Sequence, residues 1–196
     1  MTGPISRGLR LSAMLAFAAS LASAAPTSAQ SRELSVERAR CQFRSEAQLE
    51  TINGVSRQAS GSVSFDPANV AATRGRLTVP VRSLQTGIEE RDEHLYGSEW
   101  LNAGEHPNIV FEITGVSGAS RLAEGEDADL EVRGNFTMNG VTRPVTARVR
   151  VRWDGSGLRG RAQFRVRLED HGVSVPSVVR LKVANEITIR MDFAAG

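Results

Sequence analysis

Apolar and polar residues alternate with a period of two through most of this chain, and that period decides what it can fold into. In VTARVRVRWD, Val145, Ala147, Val149, Val151 and Trp153 fall on one face, and Thr146, Arg148, Arg150, Arg152 and Asp154 on the other. In LKVANEITIRMDF, Leu181, Val183, Ile187, Ile189, Met191 and Phe193 share one parity. The pattern recurs in SVSF (Val63, Phe65), RLTVPVR (Leu77, Val79, Val81) and NIVFEI (Ile109, Phe111, Ile113). It recurs again in DLEVRGNFTM (Leu130, Val132, Phe136, Met138) and RAQFRVRLE (Ala162, Phe164, Val166, Leu168). Successive side chains of a strand point to opposite faces, so each segment has one face to bury and one that stays wet. Segments of this kind are half-buried antiparallel strands. Near the N-terminus the parity changes. Leu34 and Val36 have one phase, while Ala39, Cys41 and Phe43 have the other, which predicts a β-bulge near Arg38.

The connectors agree with hairpins. Asn139-Gly140 is a two-residue turn signal, because both central positions of a type I′ turn need positive φ. Asp154-Gly155-Ser156-Gly157 joins the next two strands with turn-forming residues. About eight strands with one apolar face each must surround a common interior. A closed antiparallel barrel does this without an exposed edge, and a two-sheet sandwich is its competitor. A barrel of roughly eight strands is wide enough either to be filled by side chains or to hold one ligand. The period alone leaves both outcomes open.

The first residues follow other rules. Arg7 and Arg10 precede an apolar stretch from Leu11 to about Leu21, and small residues follow. That is the layout of a cleavable secretory signal, with cleavage expected after Ala29, or alternatively after Ala24. The stretch is too short to be read as a membrane-spanning helix. The expected organisation is a signal peptide over residues 1–29 and one β-barrel domain over 30–196, with a periplasmic or secreted destination. The whole chain carries 24 Lys and Arg against 22 Asp and Glu, and Arg7 and Arg10 leave with the signal, so the remainder is balanced. A balanced chain argues against nucleic acid as a partner, because phosphate binding needs a basic surplus. Cys41 is the only cysteine, which excludes an intramolecular disulfide and suits a buried strand position.

One stretch looks like chemistry. TGIEERDEHLYG, residues 86–97, concentrates Glu89, Glu90, Asp92, Glu93 and His94. Thr86-Gly87-Ile88-Glu89 fits a capping box, early acids suit a helix N-terminus, and His94 and Gly97 suit the other end. These features predict a short helix over about 87–96 whose thin apolar stripe, Ile88 and Leu95, docks on the barrel as a plug or lid. A metal-assisted enzyme built on Glu90, His94 and His106 is the competing reading. It lacks a recognised ligand motif, and no cofactor is implied.

The order of motifs resembles the YceI-like family. The resemblance rests on GSVSFDP, on Ser83-Leu84-Gln85-Thr86-Gly87 and on Arg91-Asp92-Glu93-His94-Leu95. Pro107-Asn108-Ile109-Val110-Phe111 and the run Gly134 to Val145, which includes Gly140-Val141-Thr142-Arg143-Pro144-Val145, complete it. The resemblance implies a lipocalin-like barrel whose apolar interior holds a polyisoprenoid or similar lipid, in an exported protein. The inward-parity candidates for lipid contact are Phe65, Val79, Phe111 and Phe136, together with Met138, Trp153, Phe164 and Ile189. The expected protein is a non-enzymatic carrier with no catalytic or metal residues, and a homodimer is compatible with it. A filled barrel acting as an exported interaction or stress-related module is the alternative.

Overall fold

The computed structural model describes residues 31–196, so the expected signal peptide lies outside the described residues. Among the described residues, nine strands and one α-helix form: β1 (Arg32–Glu46), β2 (Thr51–Ser56), β3 (Ser60–Phe65), β4 (Arg74–Pro80), α1 (Glu89–Tyr96), β5 (Asn108–Ser117), β6 (Asp127–Met138), β7 (Val141–Trp153), β8 (Leu158–Arg167) and β9 (Glu186–Ala195). All paired strands are antiparallel, in the order β2-β1-β3-β4-β5-β6-β7-β8-β9, and β1 also pairs with β9. The sheet therefore closes into a barrel.

The barrel has eight walls, because β2 and β3 share one. β2 runs beside Cys41–Glu46 of β1, and β3 beside Arg32–Ser35 of the same strand. The two are a single wall interrupted at Arg57-Gln58-Ala59. The expected bulge is present: the β1–β9 register shifts between Val36 and Arg38. This slip lets Leu34 and Val36, and then Ala39, all face inward although their parity differs. A second shift falls between Ile113 and Gly115 in the β5–β6 pairing and carries Val116 inward.

Two ends result. At one end the β3–β4 and β5–β6 connections are bonded together, Val70 N–H to Ser120 O (3.0 Å) and Leu122 N–H to Pro67 O (2.8 Å). There Phe65 and Trp153 pack with ring centroids 5.3 Å apart, and the Arg32 guanidinium lies 5.5 Å from the Trp153 ring centroid. Val70 is fully buried beside them. This end is closed. The β1–β2, β4–β5, β6–β7 and β8–β9 connections gather at the other end, and α1 lies in the second of these.

Three local expectations are corrected. Leu181 and Val183 are not strand residues, since β9 begins at Glu186. Their alternation continues beyond the point where β8 can pair, because Arg167 opposite Glu186 ends that ladder. The chain there turns on itself instead, with Lys182 and Val183 N–H both donating to Val179 O (2.8 and 2.9 Å). The Thr86–Glu89 capping box does not form either. Gly87 at φ 88° and an extended Ile88 separate Thr86 from the helix, so Ile88 takes the N-cap position without a side-chain cap. Thr86 N–H and its hydroxyl donate to Asp92 Oδ1 instead (2.7 and 2.6 Å), and the helix is Glu89–Tyr96 rather than 87–96. Gly97 does end the helix, with its N–H on His94 O, but at φ −67° it needs no glycine freedom.

The β6–β7 turn behaves as its sequence implies. Asn139 and Gly140 have φ 49° and 71°, and Met138 pairs with Val141 directly. Asn139 Nδ2 donates to His171 O (3.2 Å), and His171 Nδ1 lies 2.9 Å from Val141 O, so this hairpin anchors the β8–β9 connection. His171 is fully buried with its ring edge-on to Phe136, a structural histidine. A Cβ on Gly140 would lie 2.5 Å from the His106 ring as well as on strained backbone. Gly140→Ala is therefore expected to lower the free energy of unfolding by about 1–3 kcal/mol, measured by urea denaturation.

Candidate functional site: an apolar lumen

Inside the barrel lies a cavity of about 860 Å³. It falls within the roughly 300–1,000 Å³ typical of small-molecule sites. The walls are built from the inward parity of every strand. Of the eight residues the sequence nominated, Phe65, Val79, Phe111, Phe136, Met138, Phe164 and Ile189 line it. Trp153 does not. Its parity is inward, but it stands at the end of β7, where it packs on Phe65 and forms the floor.

The lumen stays open for a reason visible in the strand register. Phe43 pairs across β1–β2 with Gly54, and a Cβ on Gly54 would lie 2.0 Å from the Phe43 ring. Phe111 lies over Gly134 in the same way, with 2.5 Å between its ring and a notional Cβ. Phe193 pairs with Gly160, at 3.0 Å. In each pair the ring occupies space a neighbouring side chain would take, and so lies along the wall instead of filling the centre. Phe164 reaches further in, with ring centroids 5.7 Å from Phe111 and 5.2 Å from Phe136.

Polar groups collect at the mouth. Glu50, Thr86, Glu90, Arg91, Glu93, His94 and Lys182 border the cavity there. Arg91 on α1 pairs with Glu50 of the β1–β2 turn (2.8 Å), which ties the helix across the rim. Leu95 packs against the core, whereas Ile88 is exposed, and both border the cavity. The Tyr96 hydroxyl donates to Leu84 O. Burial, reinforced by the Asp92 and Glu93 carboxylates, pushes its pKa up, so the phenol remains a donor. Glu90 and His94 share the rim, but His106 packs over the β6–β7 turn at Gly140, so the three do not form one cluster. Among the described residues, no three His, Cys, Asp or Glu side chains are grouped to hold a metal ion.

Several lining residues were not nominated from sequence. Phe43 shares the parity of Ala39 and Cys41, so that signal was available. Trp100 borders the cavity from the segment between α1 and β5, where no period exists to read. Cys41 also faces the lumen.

The chain is thus a closed antiparallel β-barrel of eight walls around an apolar lumen. Within that class the chain belongs to the YceI-like domain family, which matches residues 33–195. A UPF0312 protein of Pseudomonas paraeruginosa is 36% identical over 121 residues, covering 59% of this chain and 60% of that protein. Protein YceI of Salmonella arizonae is 31% identical over 127 residues, covering 62% of this chain and 63% of its own length. The matched region thus spans about three-fifths of these relatives. BcnA of Burkholderia cenocepacia superposes with a TM-score of 0.69 at 21% identity, covering 81% of this chain and 96% of that one. A polyisoprenoid binding domain from Saccharophagus degradans superposes with a TM-score of 0.66 at 16% identity, covering 83% and 97%. At these identities the solved structures establish the fold.

Burial raises the Cys41 pKa from 9.0 to about 11. The unfolded chain ionises this thiol first, so deprotonation favours unfolding as pH rises from 9 towards 11. Stability is expected to fall across that window relative to Cys41→Ala, as read by urea unfolding at each pH. Below pH 9 the two proteins should show no pH-dependent difference.

Proposed function

We propose that this protein is an exported, non-enzymatic carrier of an apolar chain lipid, a polyisoprenoid or a molecule of similar shape, held in the lumen. The observation that carries this reading is the cavity of about 860 Å³ with aromatic and aliphatic walls. Each CH₂-sized group moved from water into such walls contributes about 0.8 kcal/mol. A few isoprene units therefore offset the cost of ordering a flexible chain. The structural relative from Saccharophagus degradans, a polyisoprenoid binding domain, supports the same ligand class. The signal-like residues 1–29 support export, to the periplasm or outside the cell. The open volume favours a carrier over a filled interaction module. The separation of His106 from Glu90 and His94 gives no support to a metal-assisted enzyme.

Organic extraction of the natively purified protein, followed by mass spectrometry, is expected to release a chain lipid. Recovery of none, together with no uptake of added isoprenoid, would refute the carrier reading. Ala147 and Ala162 are small residues facing the lumen. Ala162→Phe is expected to weaken isoprenoid binding by about tenfold or more while lowering stability by no more than about 1–3 kcal/mol, because its ring projects into the lumen. A loaded lumen should also shield Cys41 from alkylation, which gives a second readout on the unmodified chain.

A further inference from the structure

The outer surface of the mouth carries a feature that the lumen does not explain. Large apolar side chains stand exposed at Leu49 (66%), Ile88 (49%), Val178 (87%) and Leu181 (51%). All four belong to connections at the mouth, and none to the closed end. Leu49 lies in the β1–β2 turn, and Val178 and Leu181 in the β8–β9 connection. Leu49 N–H donates to Leu181 O (2.8 Å), so these two connections form one ledge. Val178 borders the cavity itself, and so does Ile88 across the mouth. Val178 is therefore exposed on the ledge and borders the lumen at the same time. An exposed apolar patch of this kind marks an interaction surface.

Charge identifies the partner. Arg180 and Lys182 sit beside Val178 and Leu181, and neither forms an ion pair with a carboxylate among the described residues. Four of the nearby acids are engaged, Glu46 with Arg44 (2.7 Å), Glu50 with Arg91 (2.8 Å), Glu186 with Arg165 (3.2 Å) and Glu169 with Arg167, whereas Asp170 is exposed and forms no ion pair among the described residues. The exposed Glu89, Glu90 and Glu93 lie on α1, which the Arg91–Glu50 pair ties to the β1–β2 turn, and the exposed Glu99 follows the helix at the rim.

We propose that the ledge of Leu49, Val178 and Leu181, with Arg180 and Lys182, docks the barrel mouth on an anionic lipid bilayer. The apolar residues enter the headgroup boundary while the two cations meet lipid phosphates. The purpose of docking rests on the carrier function: a chain lipid leaving a bilayer reaches the lumen past Val178, which belongs to both the ledge and the cavity border.

The test uses the purified protein and sedimentation with vesicles of phosphatidylcholine, alone or mixed equally with phosphatidylglycerol. Binding is expected to the anionic vesicles, to weaken as salt screens the cations, and to fall by about tenfold or more in the Leu49→Asp/Leu181→Asp variant. Neither Leu49 nor Leu181 lines the cavity, so loading of that variant with isoprenoid delivered in detergent should match the parent. No binding of the parent to anionic vesicles would overturn the proposal, as would undiminished binding of the variant. A dimer that disperses in the variant, with no vesicle binding by the parent, would assign the ledge to a second copy and also overturn it. Vesicle binding without isoprenoid loading would sustain the docking surface while refuting the carrier function.

Discussion

The pairing of β1 with β9 is the contact on which the rest of the structure turns. The strands run in sequence order around the sheet, apart from the divided β2–β3 wall, so only this pairing joins its two ends. Without it the sheet would present two raw edges and no enclosed space. The pairing carries a slip at Arg38, and the slip is what lets one long strand keep apolar residues inside along its whole length. Closure also decides where water can go. The wet faces carry cross-strand ion pairs such as Arg161 with Asp192, worth little individually, while the inner faces have only each other or a guest.

What the sequence made legible follows from geometry. Period two assigns a side chain to a face, and it did so for nearly every wall residue. The parity change at Arg38 and the Asn139-Gly140 turn were also readable, because each is a local backbone requirement with its own residue signature. Depth along the barrel is not encoded in a period. Trp153 shares the parity of Val149 and Val151, yet it forms the floor because of where β7 stops. Leu181 and Val183 show the complementary failure: their alternation persists although no strand remains beside them. Strand length is a property of partners, and partners are non-local.

The site itself was half visible. Seven of the eight nominated residues border the lumen, but whether there would be a lumen depended on pairs distant in sequence. Gly54 with Phe43, and Gly160 with Phe193, become neighbours only once the register is set. Each pair exchanges a potential side chain for a ring laid against the wall. The charged helix was readable as a helix, yet its tether was not. Asp92, rather than Glu89, takes Thr86, because a left-handed Gly87 turns the chain before the helix begins.

Phe65 and Trp153 form a floor beside Val70 and Arg32 at one end of the lumen. For the chain lipid proposed above, that floor would make the mouth both entrance and exit, with the tail going in first. Any portion longer than the depth from rim to floor would stay outside, beside Glu90, Arg91 and His94. Such a carrier would read a chain by its end and not by its full length.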